Sequence, residues 1–277
     1  ANLYSEDKKS FPVIKAECGK CQFRASKEEE SLGLRSGYKE CFVEALDWSE
    51  ENFEEDTIFD LWTLHYKTRD KLISQKRLLI DQLDEEDIKV VPGEEPGLSA
   101  SERRWLQVDK YKNRDESFWI DKEGLKEEMD SWTYPLHFID FETAQPVIPF
   151  NKGQTPYAKI AFQFSHHVVH EDGRVEHRGE FITTRSDKTA NFDFVRALKK
   201  ELDGDKGTIF KYSDHENSYL NAIYDQLQVE DVVLDDKEEL SAFIREITQY
   251  GYGVGRVEGP RNMVDMLELV KSYYYDP

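Results

Sequence analysis

The sequence contains few cysteines and no long apolar run, and these two shortages exclude several classes of protein. Only three of the 277 residues are cysteines, and all three lie within the first 41 positions. An odd number of cysteines, without an apolar export signal at the N-terminus, argues against a disulfide-stapled secreted domain. No stretch approaches the ~20 apolar residues that a membrane span needs. We therefore expect a cytoplasmic protein without a membrane partner.

Basic side chains are also scarce. Lys and Arg together number 37 against 57 Asp and Glu, which gives a formal net charge of -20. Nonspecific affinity for DNA or RNA comes largely from cations that neutralise phosphates, so a broad basic surface is excluded. Nucleases tolerate an acidic balance because their metal ligands are carboxylates and bound cations invert the local field. The charge therefore limits the affinity for nucleic acid without excluding chemistry on it.

The hydrophobic pattern divides the chain into three segments. Residues 1–47 form a polar segment that holds all the cysteines, residues 48–130 have a helical pattern, and residues 131–277 have the pattern of an α/β domain. The chain has no initiating Met and opens on a polar run, so we expect it to be a piece of a longer protein, with the first segment a remnant of an upstream domain.

Helices dominate the prediction for the middle segment. Apolar residues at helical spacing predict helix over 58–64 and again over 71–83. Ser99 followed by Glu102 fits a capping box and predicts the start of a further helix. The turn-rich stretch at 90–97 separates that helix from the preceding pattern.

Strands dominate after Tyr134. Three stretches rich in β-branched and aromatic residues predict strands, namely PLHFIDFET, YAKIAFQFSHHVV and VEHRGEFIT, and the turn at 171–173 predicts a hairpin between the last two. A helix, a short strand at 208–212 and two more helices follow, the last of them starting at Asp236 with Glu239 completing its cap. This order predicts a mixed α/β sheet flanked by helices and preceded by a mainly helical region.

Two carboxylates stand at the end of the first predicted strand. Asp140 and Glu142 share one face of it because strand side chains alternate, whereas Ile139 and Phe141 share the other. Converging carboxylates repel each other unless a cation neutralises them. Mg²⁺ or Mn²⁺ would do so and would activate water for attack on a phosphodiester. The alternative is an ordinary surface strand end, since 57 of the 277 residues are acidic.

A further acidic residue follows the short strand at 208–212. In TIFKYSDHENSYL the apolar stretch leads into Asp214, His215 and Glu216, where a helix begins. Ligands at strand ends are typical of α/β sheets, so Glu216 is a candidate metal ligand and catalytic residue beside Asp140 and Glu142. The alternative is that Asp214 or Glu216 caps the helix. His215 could act near the metal, but one histidine beside a cap is also typical of a residue that faces solvent.

DFET on a first strand, followed by a short strand that enters a helix with an acidic residue, resembles the first two motifs of DEDD exonucleases of the proofreading (DnaQ-like) type. Over residues 98–277 the chain also resembles a bacterial family of domains of unknown function related to ribonuclease H-like nucleases. The matching stretches are LSASERRWLQV, YPLHFIDFET, AFQFSHHV, IFKYSDHENSYLNAIYDQL and GPRNMVDMLELVKSYYYDP. The resemblance implies a ribonuclease H-like fold in which Asp140 and Glu142 belong to the first motif and Glu216 to the second, with Glu in place of the usual Asp.

By that resemblance the parent protein is a nuclease that trims DNA or RNA in the 3′ to 5′ direction with Mg²⁺ or Mn²⁺ as cofactor. The third motif, with the last acidic ligand and a general base, is expected beyond Pro277, so we expect this chain to be nearly inactive. Asp265 lies where the related exonucleases have an acidic residue that is usually not a ligand. The alternative function is a non-catalytic binding or scaffold module that keeps the fold.

The cysteines form a possible second metal site. Cys18 and Cys21 have C-x-x-C spacing, which lets two thiolates bind one metal ion, and Cys41 is a possible third ligand. Three free thiols are the alternative. FPVIKAECGKCQFR followed by SGYKECF also resembles the C-terminal edge of nucleases stapled by an iron–sulfur cluster, which implies a fourth cysteine far upstream, and zinc is the competing metal. We predict that the three sulfur atoms lie within reach of one another.

Overall fold

The computed structural model describes residue 6 and residues 11–94, 96–151, 153–184, 190–229, 232–251 and 253–277. Contacts divide the chain into two compact units, residues 1–121 together with 271–277, and residues 122–270. The predicted segment boundaries after residues 47 and 130 stay predictions. Within the described ranges, no helix has the length and apolar character that crossing a membrane requires.

The first unit consists mainly of short helices around one core. Its α-helices are α1 (Lys27–Ser31), α2 (Gly37–Leu46), α3 (Tyr66–Ser74), α4 (Glu85–Ile88) and α5 (Ala100–Asn113). Short 3₁₀ turns lie at Ala16–Lys20, Glu50–Phe53 and Ile80–Gln82, and β1 (Trp119–Ile120) pairs antiparallel with β9 (Tyr274–Tyr275). The core combines Ile14 and Phe42 from the cysteine-containing segment with Leu72, Leu83 and Val108 from the helical one.

The helix predicted over 58–64 is wrong. Ile58 instead donates its backbone N–H to the carbonyl of Leu78 at 2.8 Å, and the backbone N–H of Ile80 bonds to Asp56 O at 3.0 Å. The Asp60 carboxylate adds a local turn, because it accepts from both the backbone N–H and the hydroxyl of Thr57. The apolar side chains are buried as their spacing suggested, but in a turn that pairs with a distant segment.

Two helix boundaries predicted from the local sequence have different outcomes. The helix predicted over 71–83 ends at Ser74, where α3 finishes. The capping box at Ser99 is confirmed, because the Ser99 hydroxyl accepts from Glu102 N–H at 3.2 Å and Ser99 N–H bonds to the Glu102 carboxylate at 2.8 Å.

The second unit contains the mixed sheet. Its helices are α6 (Lys122–Asp130), α7 (Ala190–Leu202), α8 (His215–Leu227), α9 (Lys237–Ile247) and α10 (Met266–Tyr273), the last of which contains the boundary after residue 270. Its strands are β2 (Leu136–Ala144), β3 (Ile160–Val169), β4 (Val175–Ile182), β5 (Ile209–Lys211), β6 (Gln249–Tyr250), β7 (Val257–Glu258) and β8 (Val264–Asp265).

Five strands form one sheet in the described ranges, in the order β4-β3-β2-β5-β8. The β2-β3 and β3-β4 pairs are antiparallel, whereas β5 lies parallel to β2 and β8 lies parallel to β5. The predicted α/β class, with a mixed sheet flanked by helices, is therefore confirmed. The strand predicted at 208–212 is β5, and it lies parallel to the strand that carries Asp140 and Glu142.

Helices cover one face of this sheet because their apolar residues recur at helical spacing. Phe194 and Leu198 of α7, Leu220 and Ile223 of α8, and Ile244 of α9 are fully buried and pack in one cluster with Ile139 and Phe141 of β2. Burying a side chain of this size contributes roughly 1.5 to 3 kcal/mol. The cluster holds α8 against the sheet and so sets the position of its first turn.

The start of α9 differs from the prediction. The helix begins next to Asp236 as expected, but neither the Asp236 side chain nor Glu239 forms the predicted cap. The Asp236 carboxylate instead receives two hydrogen bonds from the Arg196 guanidinium, at 2.5 Å from Nε and 2.9 Å from Nη2. A charged partner on α7 has displaced the local cap, because the guanidinium forms two charge-assisted hydrogen bonds with the carboxylate at once.

A buried polar chain lies near the start of β2. His137 Nδ1 is 2.9 Å from His166 Nε2, and His137 Nε2 is 2.7 Å from an oxygen of Asp205. Burial lowers the pKa of His166 to about 4, and the neighbouring His137 adds to that effect. Glycine at 207 permits this packing, since a Cβ there would lie 1.9 Å from the carbonyl oxygen of Pro135.

Candidate active site

The candidate site lies where three parallel strands end. Because β2, β5 and β8 run in the same direction, their carboxyl ends meet at one edge of the sheet. Asp140 and Glu142 are near the end of β2, Lys211 ends β5, and Asp265 ends β8. Glu216 lies in the first turn of α8, five residues after Lys211. The sheet therefore gathers one lysine and four carboxylates at a single edge.

The alternation predicted for β2 is confirmed. Asp140 and Glu142 are exposed on one face, whereas Ile139 and Phe141 are buried on the other. A β-bulge follows Glu142 directly, where the register with β3 shifts. Bulges re-aim side chains and are frequent beside functional sites. The two carboxylates thus face solvent at an irregular strand end.

Glu216 is the unusual residue of the group, since it is 3% exposed and its Oε2 atom has no hydrogen-bond partner among the described residues. Burial raises the pKa of Glu216 to about 6, and the negative charge of Asp140 raises it further, while Lys211 opposes both. The effect of Asp140 places the two carboxylates in one electrostatic environment. A buried carboxylate oxygen without a partner is a position that a cation can fill.

Lys211 and Asp265 form a buried ion pair that sequence reasoning missed as a unit. Lys211 Nζ lies 2.6 Å from Asp265 Oδ2 and 2.7 Å from the carbonyl oxygen of Ser213. Burial alone would raise the pKa of Asp265, but the bond from Lys211 holds it below its usual value. The signal was a lysine at the end of the apolar strand TIFK, because buried lysines are rare unless paired.

Asp265 is further occupied by the backbone, since its Oδ1 accepts from the N–H groups of Ser213 at 2.9 Å and Leu267 at 3.0 Å. These bonds fix the turn between β5 and α8. They also agree with the expectation that Asp265 is not a metal ligand, an assignment that stays a prediction.

Asp214 and His215 lie at the N-terminus of α8, and both are exposed. The alternative in which Asp214 caps the helix through its side chain is wrong, since its carboxylate accepts instead from the amide of Asn217 at 3.1 Å. His215 Nε2 is 3.2 Å from the hydroxyl of Thr143 on β2, and its ring packs on Tyr219. His215 therefore bridges α8 and the end of β2 beside the carboxylates.

In the parts of the chain that the structure describes, no group of three or more His, Cys, Asp or Glu side chains is arranged to hold a metal ion. The shared cation of Asp140, Glu142 and Glu216 stays a prediction. Mg²⁺ in proteins is commonly held by one or two carboxylates, with waters and substrate phosphates completing its shell. A site of that kind needs fewer protein ligands than a closed cage.

Comparison with protein families gives a match over residues 137–277, to a family described as a domain of unknown function, DUF2779. The chain belongs to the DUF2779 family. The predicted membership of a family of domains of unknown function is thereby confirmed. No curated protein and no solved structure matches the chain.

The DUF2779 match contains every residue of the candidate site, from Asp140 on β2 to Asp265 on β8. It does not extend to the three cysteines, which lie at positions 18, 21 and 41. Of the two predicted metal sites, only the carboxylate site lies within the region that matches the family.

The three cysteines line one cavity of about 540 Å³ in the first unit. All three are partly buried, and none forms a disulfide with another. The Sγ of Cys18 accepts a hydrogen bond from Lys15 N–H at 3.4 Å. A common cavity places the thiols on one surface, and their joint binding of iron–sulfur or zinc stays a prediction.

Proposed function

We propose that this DUF2779 protein hydrolyses phosphodiesters of nucleic acid with Mg²⁺ or Mn²⁺, as a 3′ to 5′ exonuclease of the DEDD type. The observation that carries the proposal is the buried, unpartnered Oε2 of Glu216 in the electrostatic field of Asp140. Burial of a carboxylate oxygen without a partner costs stability, and such costs concentrate at functional sites. The exposed Glu142 lies on the same strand face as Asp140 and completes the group.

The sheet supports the ribonuclease H-like assignment. Three consecutive antiparallel strands are extended by two strands parallel to the first, each reached through helices. That arrangement is consistent with the ribonuclease H-like fold, and it brings the first acidic strand next to the strand that leads to Glu216. Fold alone does not decide activity, so the proposal depends on the carboxylates.

The residues present suit a divalent cation that prefers oxygen ligands. Asp140 and Glu216 would hold it, Glu142 would bind it directly or through water, and the bound ion would neutralise the scissile phosphate and lower the pKa of an attacking water. Lys211 donates to Asp265 and Ser213, while its charge also acts on Glu216 and lowers the pKa of that carboxyl. His215 stands at the edge of the group, where its ring could accept a proton from water or donate one to the leaving oxygen.

The alternative is a non-catalytic binding or scaffold module with the same fold. Two observations favour it: the lack of a group of three metal-ligand side chains within the described ranges, and the net charge of -20. A scaffold has no need for a buried carboxylate without a partner, so the behaviour of Glu216 separates the two functions.

Metal binding is the first test. Mn²⁺ at about 1 mM should raise the melting temperature of the wild-type chain, because an ion bound only by the folded state stabilises it by mass action. Asp140→Asn and Glu216→Gln should each remove most of this gain, whereas Glu171→Gln, an exposed carboxylate in the β3-β4 turn, should retain it. A gain that is equal in all four proteins, or absent from the wild type, would favour the scaffold function.

Hydrolysis is the second test. Short single-stranded DNA and RNA are incubated with Mn²⁺ and either this chain or the full gene product, and the fragments are resolved by length. We expect stepwise shortening from the 3′ end by the full gene product, lost in Asp140→Asn, and little activity in this chain. Strong metal-dependent degradation by this chain would show that its described carboxylates suffice.

We also propose that Cys18, Cys21 and Cys41 bind one metal centre, iron–sulfur or zinc. Their common cavity supports this proposal. Elemental analysis of protein purified without oxygen should find iron or zinc, and Cys21→Ser should lose it. Metal content that is unchanged in Cys21→Ser and Cys41→Ser would leave three ordinary thiols.

A further inference from the structure

A polar cavity of about 560 Å³ lies in the second unit, beside the candidate site but separate from its carboxylates. It begins at Asp214, which precedes α8, and follows that helix to Asp225. The distance between these residues along the helix axis is ~16 Å at 1.5 Å per residue. Cavities of this volume hold ligands of the size of a nucleotide.

Helix α8 presents two different faces. Glu216, Leu220 and Ile223 are buried toward the core, whereas Ser218 and Asn221 line the cavity. Asp214 lines the cavity, and the next residue, His215, contacts Thr143 beside the carboxylates, so the cavity and the candidate metal site adjoin each other at the start of one helix.

The cavity concentrates positive charge in an acidic protein. Lys159, Arg245 and Arg256 line it together with two carboxylates, Asp214 and Asp225, so cations are in the majority there although the whole chain carries -20. Arg256 is exposed and has no ion-pair partner within the described ranges. An exposed, unpaired arginine in such a protein is a ready donor to an anion.

Arg245 is held between two aromatic rings. Its guanidinium carbon lies 3.5 Å from the ring centre of Tyr224 and 4.0 Å from that of Tyr250, and Nη1 donates to the side-chain oxygen of Asn221 at 2.6 Å. Stacking and one hydrogen bond fix the plane of the group, while its remaining N–H donors have no other acceptor among the described residues. A fixed guanidinium with donors to spare suits a phosphate.

The wall opposite α8 is also fixed. Asn217 Oδ1 accepts from the backbone N–H of Gln249 at 2.9 Å, and Asn221 Nδ2 donates to the carbonyl of Gln249 at 2.9 Å. The side-chain amides of Asn217 and Asn221 thus hold β6 against α8 by hydrogen bonds to the backbone N–H and carbonyl of Gln249. Tyr250, the next residue, is thereby set in the cavity wall, and a preorganised site loses less entropy when a ligand binds.

We propose that this cavity binds the single-stranded polynucleotide adjoining the scissile phosphodiester, with Arg245 and Arg256 on its phosphates and Tyr250 against a base. The proposal rests on the proposed nuclease function, since it names where that substrate lies. Stacking on an aromatic ring and cation contacts to the backbone are the sequence-tolerant means by which proteins hold single strands. The described cavity offers both within one concave surface.

The test measures binding rather than hydrolysis. Fluorescently labelled ten-nucleotide oligo(dT) and oligo(U) are titrated with the 277-residue chain carrying Asp140→Asn, in EDTA at low salt, so that the probe stays intact. In that background Arg256→Gln should weaken the affinity for whichever of the two probes binds by roughly tenfold, as loss of a charge-assisted phosphate contact does. It should also reduce the slope of log affinity against log salt by about 0.7. Lys200→Gln, which removes an exposed charge of α7 outside the cavity, is the matched control and should change binding less than twofold.

Arg245→Lys gives a second reading, since it keeps the charge but loses the planar donors, and circular dichroism checks that the fold persists. Weakened binding in both cavity variants with an intact control supports the proposal, and the tighter of the two probes identifies DNA or RNA as the source. Failure of the parent to bind either probe at about 100 μM, or equal binding by parent, Arg256→Gln and Arg245→Lys, overturns it. The outcome is distinguishable from that of the proposed function, because Mn²⁺ stabilisation and hydrolysis are measured on proteins with the cavity unchanged.

Discussion

Two buried polar groups, one near each end of β2, differ in how their hydrogen bonds are satisfied. Near the start of β2, His137 bonds to both His166 and Asp205. Near its end, Glu216 is almost as deeply buried, yet one of its oxygens has no partner among the described residues. The first group resembles a structural network, in which polar atoms satisfy one another. The second keeps an oxygen without a partner among the described residues, and the proposed cation site depends on that oxygen.

The difference teaches that burial alone does not identify function. His166 and Glu216 both have shifted pKa values, and burial is the largest cause in each case. What separates them is the remaining hydrogen-bond capacity. Variants of Asp205 and Glu216 should therefore change stability in opposite directions.

The largest effect is expected at Asp205. Asp205→Ala removes the acceptor of His137 Nε2, of Arg178 Nη1 and of the Gly207 N–H, so a buried imidazole loses its partner. We expect the free energy of unfolding to fall by about 2 to 4 kcal/mol. Urea denaturation measures it, with Asp205→Asn as the companion that keeps an acceptor and should lose less. Equal stability of Asp205→Ala and wild type would mean that the network is not structural.

Glu216→Gln should have the opposite sign. Without metal at pH 7.5 the charged carboxylate is held in a buried position, and its pKa, raised from 4.5 to about 6, corresponds to a cost on the order of 2 kcal/mol. The neutral amide avoids that cost, so the variant should be more stable than wild type by on the order of 1 kcal/mol in EDTA. Differential scanning calorimetry checks the shift. A destabilised Glu216→Gln would mean that the carboxylate has a structural partner, and the comparison with Asp205 would fail.

The pH dependence of stability sharpens the same contrast. The pKa of His166 is about 4 in the folded state and 6.5 as its ordinary value, so between these pH values the unfolded chain binds more protons. Stability contributed by His166 is complete above pH 6.5 and is lost as pH falls toward 4, with a slope of at most about 1.4 kcal/mol per pH unit. His137, Asp205 and Glu201 face His166 or its partner, and the charge of Arg178 also lowers the pKa of His166.

The measurement compares His166→Gln with its parent across pH 4 to 7, both in the Glu216→Gln background. That background is needed because a raised acid pKa adds stability as pH falls and would mask the effect. The parent should lose stability on acidification more steeply than His166→Gln. Parallel curves would show that folding leaves the pKa of His166 at its ordinary value.

The smallest effect is expected at a polar pair that is partly exposed. Asp236→Asn weakens the two hydrogen bonds from Arg196, but both side chains are about a third exposed and water replaces much of the interaction. We expect a loss of about 0.5 to 1 kcal/mol, measured by urea denaturation. A loss as large as that of Asp205→Ala would erase the distinction between buried and exposed networks.

Local patterns predicted most of the second unit. The alternation of Phe138 to Phe141, the hairpin before Val175 and the helical spacing of Leu220 and Ile223 each depend on residues close in sequence, and the corresponding strands and helices are observed. The parallel direction of β5 relative to β2 agrees with the helix between β4 and β5, since a chain that crosses the sheet through a helix returns in parallel.

The same reasoning failed where a distant partner competes with a local one. The apolar residues at 58–64 have helical spacing, yet Ile58 bonds to Leu78, and Asp236 leaves its expected cap for Arg196 on another helix. Neither partner can be read from the neighbouring sequence, because the free energy comes from contacts formed only after the chain has packed.

The candidate site divides in the same way. Sequence alone placed Asp140 and Glu142 on one strand face and marked Glu216 at a helix start, because strand alternation and helix boundaries are local properties. Tertiary structure alone buried Glu216, paired Lys211 with Asp265 and stacked Arg245 between two tyrosines. Burial and pairing depend on which elements pack against each other. Loss of contact with water then makes the charge of Glu216 costly, whereas the charge of Asp265 is neutralised by Lys211.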